Sequence, residues 1–176
     1  MQTQSEQVTF LSHVVLLPAL KHEHGLTRRV IEAIPLDKGD YRPDSTSRSA
    51  LELAWHIASA EICFMDGVAS GEFSYGAFAQ PETVRNSAEV SRWYAEAFTR
   101  NFDRLAVLSP EQLLKVMDYR RMFQVPAVVY LEGAKNHSIH HRGQLSMYLR
   151  PMGAKVPSIY GESFADAEAR KAVQGA

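Results

Sequence analysis

Apolar positions recur with the period of an α-helix in four long stretches of the chain. The first runs from Thr9 or Leu16 to Ile34, with Leu16, Leu20, Val30, Ile31 and Ile34 as its apolar positions. Pro18 either kinks this helix or marks its true first turn. Residues 1–8 are polar and predict a frayed end. After Pro35 comes a loop from Asp37 to Ser47, with Gly39 and Pro43. Ser49-Ala50-Leu51-Glu52 fits the capping box, in which Ser49 and Glu52 satisfy two orphan backbone donors reciprocally. The second helix runs from there to about Ala69 and stops before Gly71, with Leu53, Ile57, Ala60 and Phe64 on its inner stripe. A loop from Ser70 to Arg85 carries Phe73, Tyr75 and Phe78, expected to cover an end of the core or to line a pocket.

The third helix begins near Asn86 or Ser87, where Asn86-Ser87-Ala88-Glu89 is a second capping signal, and reaches about Leu108. Ser109-Pro110-Glu111-Gln112 opens a short extra helix, and Asp118 to Val125 is a less regular, Arg-rich link. The fourth long helix runs from Pro126 to about Met152, with Gly153 as its C-cap. Beyond it, Val156 to Gly161 reads as an extended piece laid over the bundle, and Ser163 to Val173 as a short helix. No stretch alternates like a strand. The prediction is one all-α domain over residues 1–176, a four-helix bundle with a short extra helix and a C-terminal extension. Two connections of about a dozen residues leave the topology open.

Composition narrows the functions. Nineteen basic and 20 acidic residues give a net charge of −1, which argues against a nucleic-acid or anionic-membrane partner. The single cysteine, Cys63, excludes an internal disulfide framework and Cys-rich zinc motifs. The early apolar run Phe10 to Leu20 is short, holds His13 and Pro18, and lacks a basic leader, so it reads as a core helix in a cytoplasmic protein.

The candidate chemistry lies in histidines. On the fourth helix Ala127, Tyr130, Ala134, Leu145, Tyr148 and Met152 form one stripe, and His137 and His141 fall on it one turn apart. His140 lies roughly 90° from the middle of that stripe, although 137/140 is also a neighbour pair. On the second helix His56 lies beside the inner stripe. Metal sites in bundles are built by inward side chains of facing helices, and three imidazoles leave an ion an open coordination position. All-nitrogen ligation suits Zn²⁺, Ni²⁺ or Fe²⁺. Such an ion lowers the pKa of bound water or holds a substrate thiolate. The metalloprotease helix is excluded, because Ser138 stands where that motif needs its general-base Glu. Glu52 and Gln144 are placed to support the imidazoles, with capping and burial as their plainer roles. Lys21-His22-Glu23-His24 reads as a solvated face with at most one inward group.

Trp-His-Ile on a capped second helix, His-x₃-His-Arg-Gly-Gln on the fourth, and Leu-Arg-x₂-Gly-x₃-Pro-x₂-Tyr-Gly near the end together resemble the DinB family of four-helix-bundle metalloenzymes. The likeness covers about Leu16 to Gly161. It implies a divalent metal on His56, His137 and His141, homodimers, and an up-up-down-down bundle. It further implies a small-molecule substrate and a link to S-transferases that use low-molecular-weight thiols. The first reading is therefore a metal-dependent enzyme that transfers a thiol to an electrophile or hydrolyses a small molecule; the competing reading is a non-catalytic metal-binding or stress-response bundle.

Overall fold

Pro18 divides the first helical stretch. The computed structural model describes residues 3–74 and 79–174. Helix begins at Gln4, not at Thr9 or Leu16, because Thr3 and Glu6 form a capping box that the polar composition of residues 1–8 concealed. Helix α1 (Gln4–Phe10) passes into a π-helical turn, Leu11–Leu16, and then into α2 (Leu17–Glu32). The Leu17 N–H reaches back to Ser12, five residues away, just before Pro18, which has no N–H to continue the regular ladder.

Helix α3 (Ala50–Ser70) starts at the Ser49/Glu52 capping box and ends at Gly71, whose φ of 76° is the left-handed conformation that glycine adopts without a Cβ penalty. Helix α4 (Ser87–Leu105) is capped by Asn86, and the short α5 (Pro110–Leu114) by Ser109 and Gln112. Helix α6 (Ala127–Leu149) ends in a turn containing Gly153, at φ 78°. Helix α7 (Phe164–Gln174) buries no residue.

One expectation fails between α5 and α6. The Arg-rich link forms an antiparallel hairpin, β1 (Val116–Tyr119) with β2 (Phe123–Pro126). Its turn places Arg120 and Arg121 at φ 55° and 57°. Hairpin turns of this hand are usually signalled by Asn or Gly, and here two arginines fill them, so the sequence carried no cue. Tyr130 ties the hairpin to α6 by donating to the Met117 and Phe123 carbonyls, at 2.9 Å each.

The four long helices α2, α3, α4 and α6 enclose one core, with α2 and α3 each packed between α4 and α6. Contacts fix their directions. Ser87, at the start of α4, donates to the Ile34 carbonyl just past α2, while His13 meets the Ala106 carbonyl at the opposite end. Helices α2 and α4 are therefore antiparallel. Helices α3 and α6 are antiparallel too, because His56 meets His141 and Phe64 stacks on Tyr130. Helices α3 and α4 run the same way, pairing Trp55 with Trp93 and Asp66 with Arg104. The order is up-down-down-up, which corrects the expected up-up-down-down. The α2–α3 connection does not cross the bundle. It folds onto the first turn of α3, with Ala50 N–H donating to Tyr41 and Leu51 N–H to Gly39.

Phe73 covers one end of the core, packed against Phe64, Tyr119 and Tyr130. Its ring occupies the space a Cβ on Gly67 would need. Tyr75 and Phe78 lie outside the described residues. Among the described residues, no helix is long and apolar enough to cross a membrane.

Candidate metal centre

On α6 the buried positions run Ala127, Leu131, Ala134, Ser138, Arg142, Leu145 and Leu149. This line is displaced by about one residue from the stripe expected through His137 and His141. The two histidines sit on its flank, half-buried, and look across to His56 on α3. The displacement does not separate them. His56 Nε2 and His141 Nε2 are 3.2 Å apart, and each histidine offers a nitrogen within 4.8 Å of the other two. The rings lie edge to face, with centroids 4.4–4.9 Å apart.

The donor set fits a cation. Gln144 Oε1 accepts from His141 Nδ1 at 2.7 Å, which leaves the lone pair on Nε2, facing His56. His137 Nδ1 is buried without a hydrogen-bond partner among the described residues, an arrangement a neutral nitrogen tolerates poorly. Burial is the first cause lowering all three pKa values, to about 4 for His56 and His137. The positive charge of Arg48 and the neighbouring imidazoles push His56 and His137 further the same way. At neutral pH these side chains are uncharged and nitrogen-donating, the form a metal requires. His140 is exposed, and its Nε2 accepts from the Gln144 amide at 3.2 Å. One amide thus separates a histidine in the cluster from one outside it.

Gln144 has the supporting place the sequence offered it. Glu52 does not: its carboxylate caps Ser49 N–H and pairs with Arg42 at 2.8 Å. The face around Lys21 is also corrected, because both Glu23 and His24 are buried. Glu23 receives the buried Arg142 guanidinium at 2.7 Å and the Tyr160 hydroxyl at 2.8 Å. His24 stacks on Phe98 at 3.8 Å. Its Nδ1 stops 3.8 Å from Glu61, beyond hydrogen-bond reach. Glu61, fully buried, accepts from Tyr94 and Ser138. Glu61 and Tyr94 carry no cue in the sequence, since a buried polar side chain at helical spacing reads like one on an outer face. Arg142 does carry one, because the Arg and Tyr of the two terminal motifs prove to be partners across 18 residues.

One cavity reaches an imidazole, and a larger one reaches Gln144, the partner of His141. The larger, of about 730 Å³, is lined by Pro43, Thr46, Ser47, Arg48, Gln144 and Tyr148 among others. The other, of about 310 Å³, is apolar and reaches His137, between Phe64, Val125, Val129 and Tyr130.

The DinB family profile matches residues 1–172. The chain belongs to the DinB family. It is 32% identical over 154 residues to YjoA of Bacillus subtilis, an uncharacterized protein, covering 85% of this chain and 92% of that one. The crystal structure of that DinB-like protein superposes with a TM-score of 0.70 at 28% identity, over 84% of this chain and 99% of the other. A DinB-like protein from Bacillus cereus has the same fold, with a TM-score of 0.71 at 20% identity over 82% and 95% of the two chains. The histidine cluster of this DinB chain could hold a metal ion.

Proposed function

We propose that this DinB protein is a metal-dependent enzyme that acts on a small molecule, with His56, His137 and His141 as the ligands of one divalent ion. The observation that carries the reading is the meeting of three neutral imidazoles from two facing helices, with a cavity reaching His137. Zn²⁺ and Ni²⁺ suit this donor set best, and Fe²⁺ is compatible with it. Such an ion, when bound, supplies Lewis acidity that keeps a thiol or a water deprotonated near neutral pH.

Thiol transfer is better supported than hydrolysis. Hydrolysis also calls for a group that takes the proton of the activated water or protonates the leaving group. Glu52 is engaged with Ser49 and Arg42, and Glu61 is turned into the core by Tyr94 and Ser138. A thiol held as thiolate is already nucleophilic without such a group. The side chains then orient the reactants: Gln144 fixes the His141 ring, and the apolar cavity beside His137 shields one reactant from water. A homodimeric, cytoplasmic protein completes the reading, on the strength of family membership and the single cysteine.

The test is elemental analysis after chelator-free purification and incubation with Zn²⁺ or Ni²⁺, followed by a thiol-conjugation screen. About one ion per chain and conjugate formation are expected. Substoichiometric metal would overturn the ligand assignment. Full metal without turnover, combined with a large stability loss on chelation, would favour the non-catalytic bundle.

A further inference from the structure

We infer that the substrate side of this site recognises a small molecule carrying a carboxylate, and that Arg48 is the residue that binds it. The inference rests on the metal-dependent reading above and adds the chemical class of the ligand.

Arg48 ends the loop before α3 and lines the larger cavity together with Gln144, whose amide holds His141. Gln144 ties that cavity to the cluster, since its Oε1 accepts from His141 Nδ1 at 2.7 Å. Arg48 is exposed and forms no hydrogen bond or ion pair among the described residues. Arg42, Asp44, Thr46 and Ser47 beside it are engaged. Arg42 donates to the Ser47 carbonyl and to Glu52. Asp44 accepts from the backbone and hydroxyl groups of both Thr46 and Ser47. Asp44 is thus satisfied within the loop and Glu52 by Arg42 and Ser49, which braces the segment next to Arg48. With the Thr46 and Ser47 hydroxyls given to Asp44, the cavity keeps one unpaired guanidinium, the Gln144 amide, the half-buried Tyr148 and the apolar Leu53 and Met147.

A guanidinium presents a planar fork of donors that matches a carboxylate in two parallel hydrogen bonds. The cavity volume suits a metabolite-sized molecule. A ligand with its carboxylate on Arg48 extends past Gln144 toward the nitrogen cluster. Arg48 is a positioning and specificity residue, not a catalytic one.

The experiment uses the full chain loaded with Co²⁺ or Ni²⁺ after metal stoichiometry has been measured. Three thiols of similar size serve as probes: 3-mercaptopropionate, uncharged 2-mercaptoethanol and cationic cysteamine. Binding is read from the thiolate-to-metal absorption band. The carboxylate probe is expected to bind about tenfold more tightly than the uncharged one, with cysteamine weakest. The preference should shrink as salt is raised. Arg48→Gln should abolish it while leaving 2-mercaptoethanol unchanged, and Arg48→Lys should restore part of it. Equal affinities for the three probes, or a uniform loss of all three in Arg48→Gln, would overturn the inference while leaving the metal reading intact. A chain that takes up no metal overturns both.

Discussion

Gln144 holds His141 by one atom and His140 by another, and this decides which substitutions matter. Replacing His56, His137 or His141 by Ala removes a nitrogen from the cluster. Each is expected to cut metal affinity sharply, with circular dichroism showing a retained fold. Replacing Gln144 by Ala frees the His141 ring to rotate and should cost roughly 10–100-fold in affinity. Replacing His140, His13, His22 or His24 should leave affinity near that of the parent chain. The measurement is competitive metal titration across the set. A result in which His140→Ala loses the metal and His141→Ala keeps it would place the ligand pair at 137/140, against the 3.2 Å approach of His141 to His56.

At the scale of the element, α6 is two-sided. One flank carries the histidines toward α3. The other sends Arg142 to Glu23 on α2 and to Tyr160 in the C-terminal segment. The Arg142 and Glu23 side chains are 2% and 11% exposed, so removing one partner leaves a buried, uncompensated charge. Arg142→Met is expected to cost about 3–5 kcal/mol, and the paired change Arg142→Met with Glu23→Leu considerably less. Tyr160→Phe should cost about 1 kcal/mol. Urea unfolding of the variants checks all three. A cost near zero for Arg142→Met would mean that the guanidinium reaches water. The long helices and their caps were legible because capping boxes and apolar periodicity are local signals. The Ser49/Glu52 box and the stop at Gly71 fell where expected. The π-turn before Pro18 and the hairpin at Arg120-Arg121 were not legible, since neither carries the residues that usually mark it. The histidine pair was legible from spacing. Arg48 was not, because a single cation in an irregular loop has no period and acquires meaning only from what it faces.

At the scale of the whole molecule, direction and partnership come from contacts that no short window contains. The up-down-down-up order rests on pairs such as Ser87 with Ile34, 53 residues apart. It also leaves Phe10, Leu11, Val14 and Val15 exposed along one helical edge, at 56%, 41%, 59% and 44%. That edge is the apolar surface on which we place the proposed dimer. Sedimentation is expected to give a dimer at micromolar concentration, and Val14→Glu to shift it toward monomer. A monomeric parent chain would refute the dimer, and a dimeric Val14→Glu would place the interface elsewhere.

The approach of His56 to His141 has one more consequence. These residues lie 85 positions apart. An ion shared between them is a removable staple that forms only when the folded chain brings the two positions together. Resistance to unfolding should then track the free-ion concentration, rising by RT ln(1 + [ion]/Kd). Amide exchange measured with and without chelator should show protection lost on both sides of the α3–α6 seam together. In a metal-poor cell, the folded population of this protein would itself report the supply of its ion.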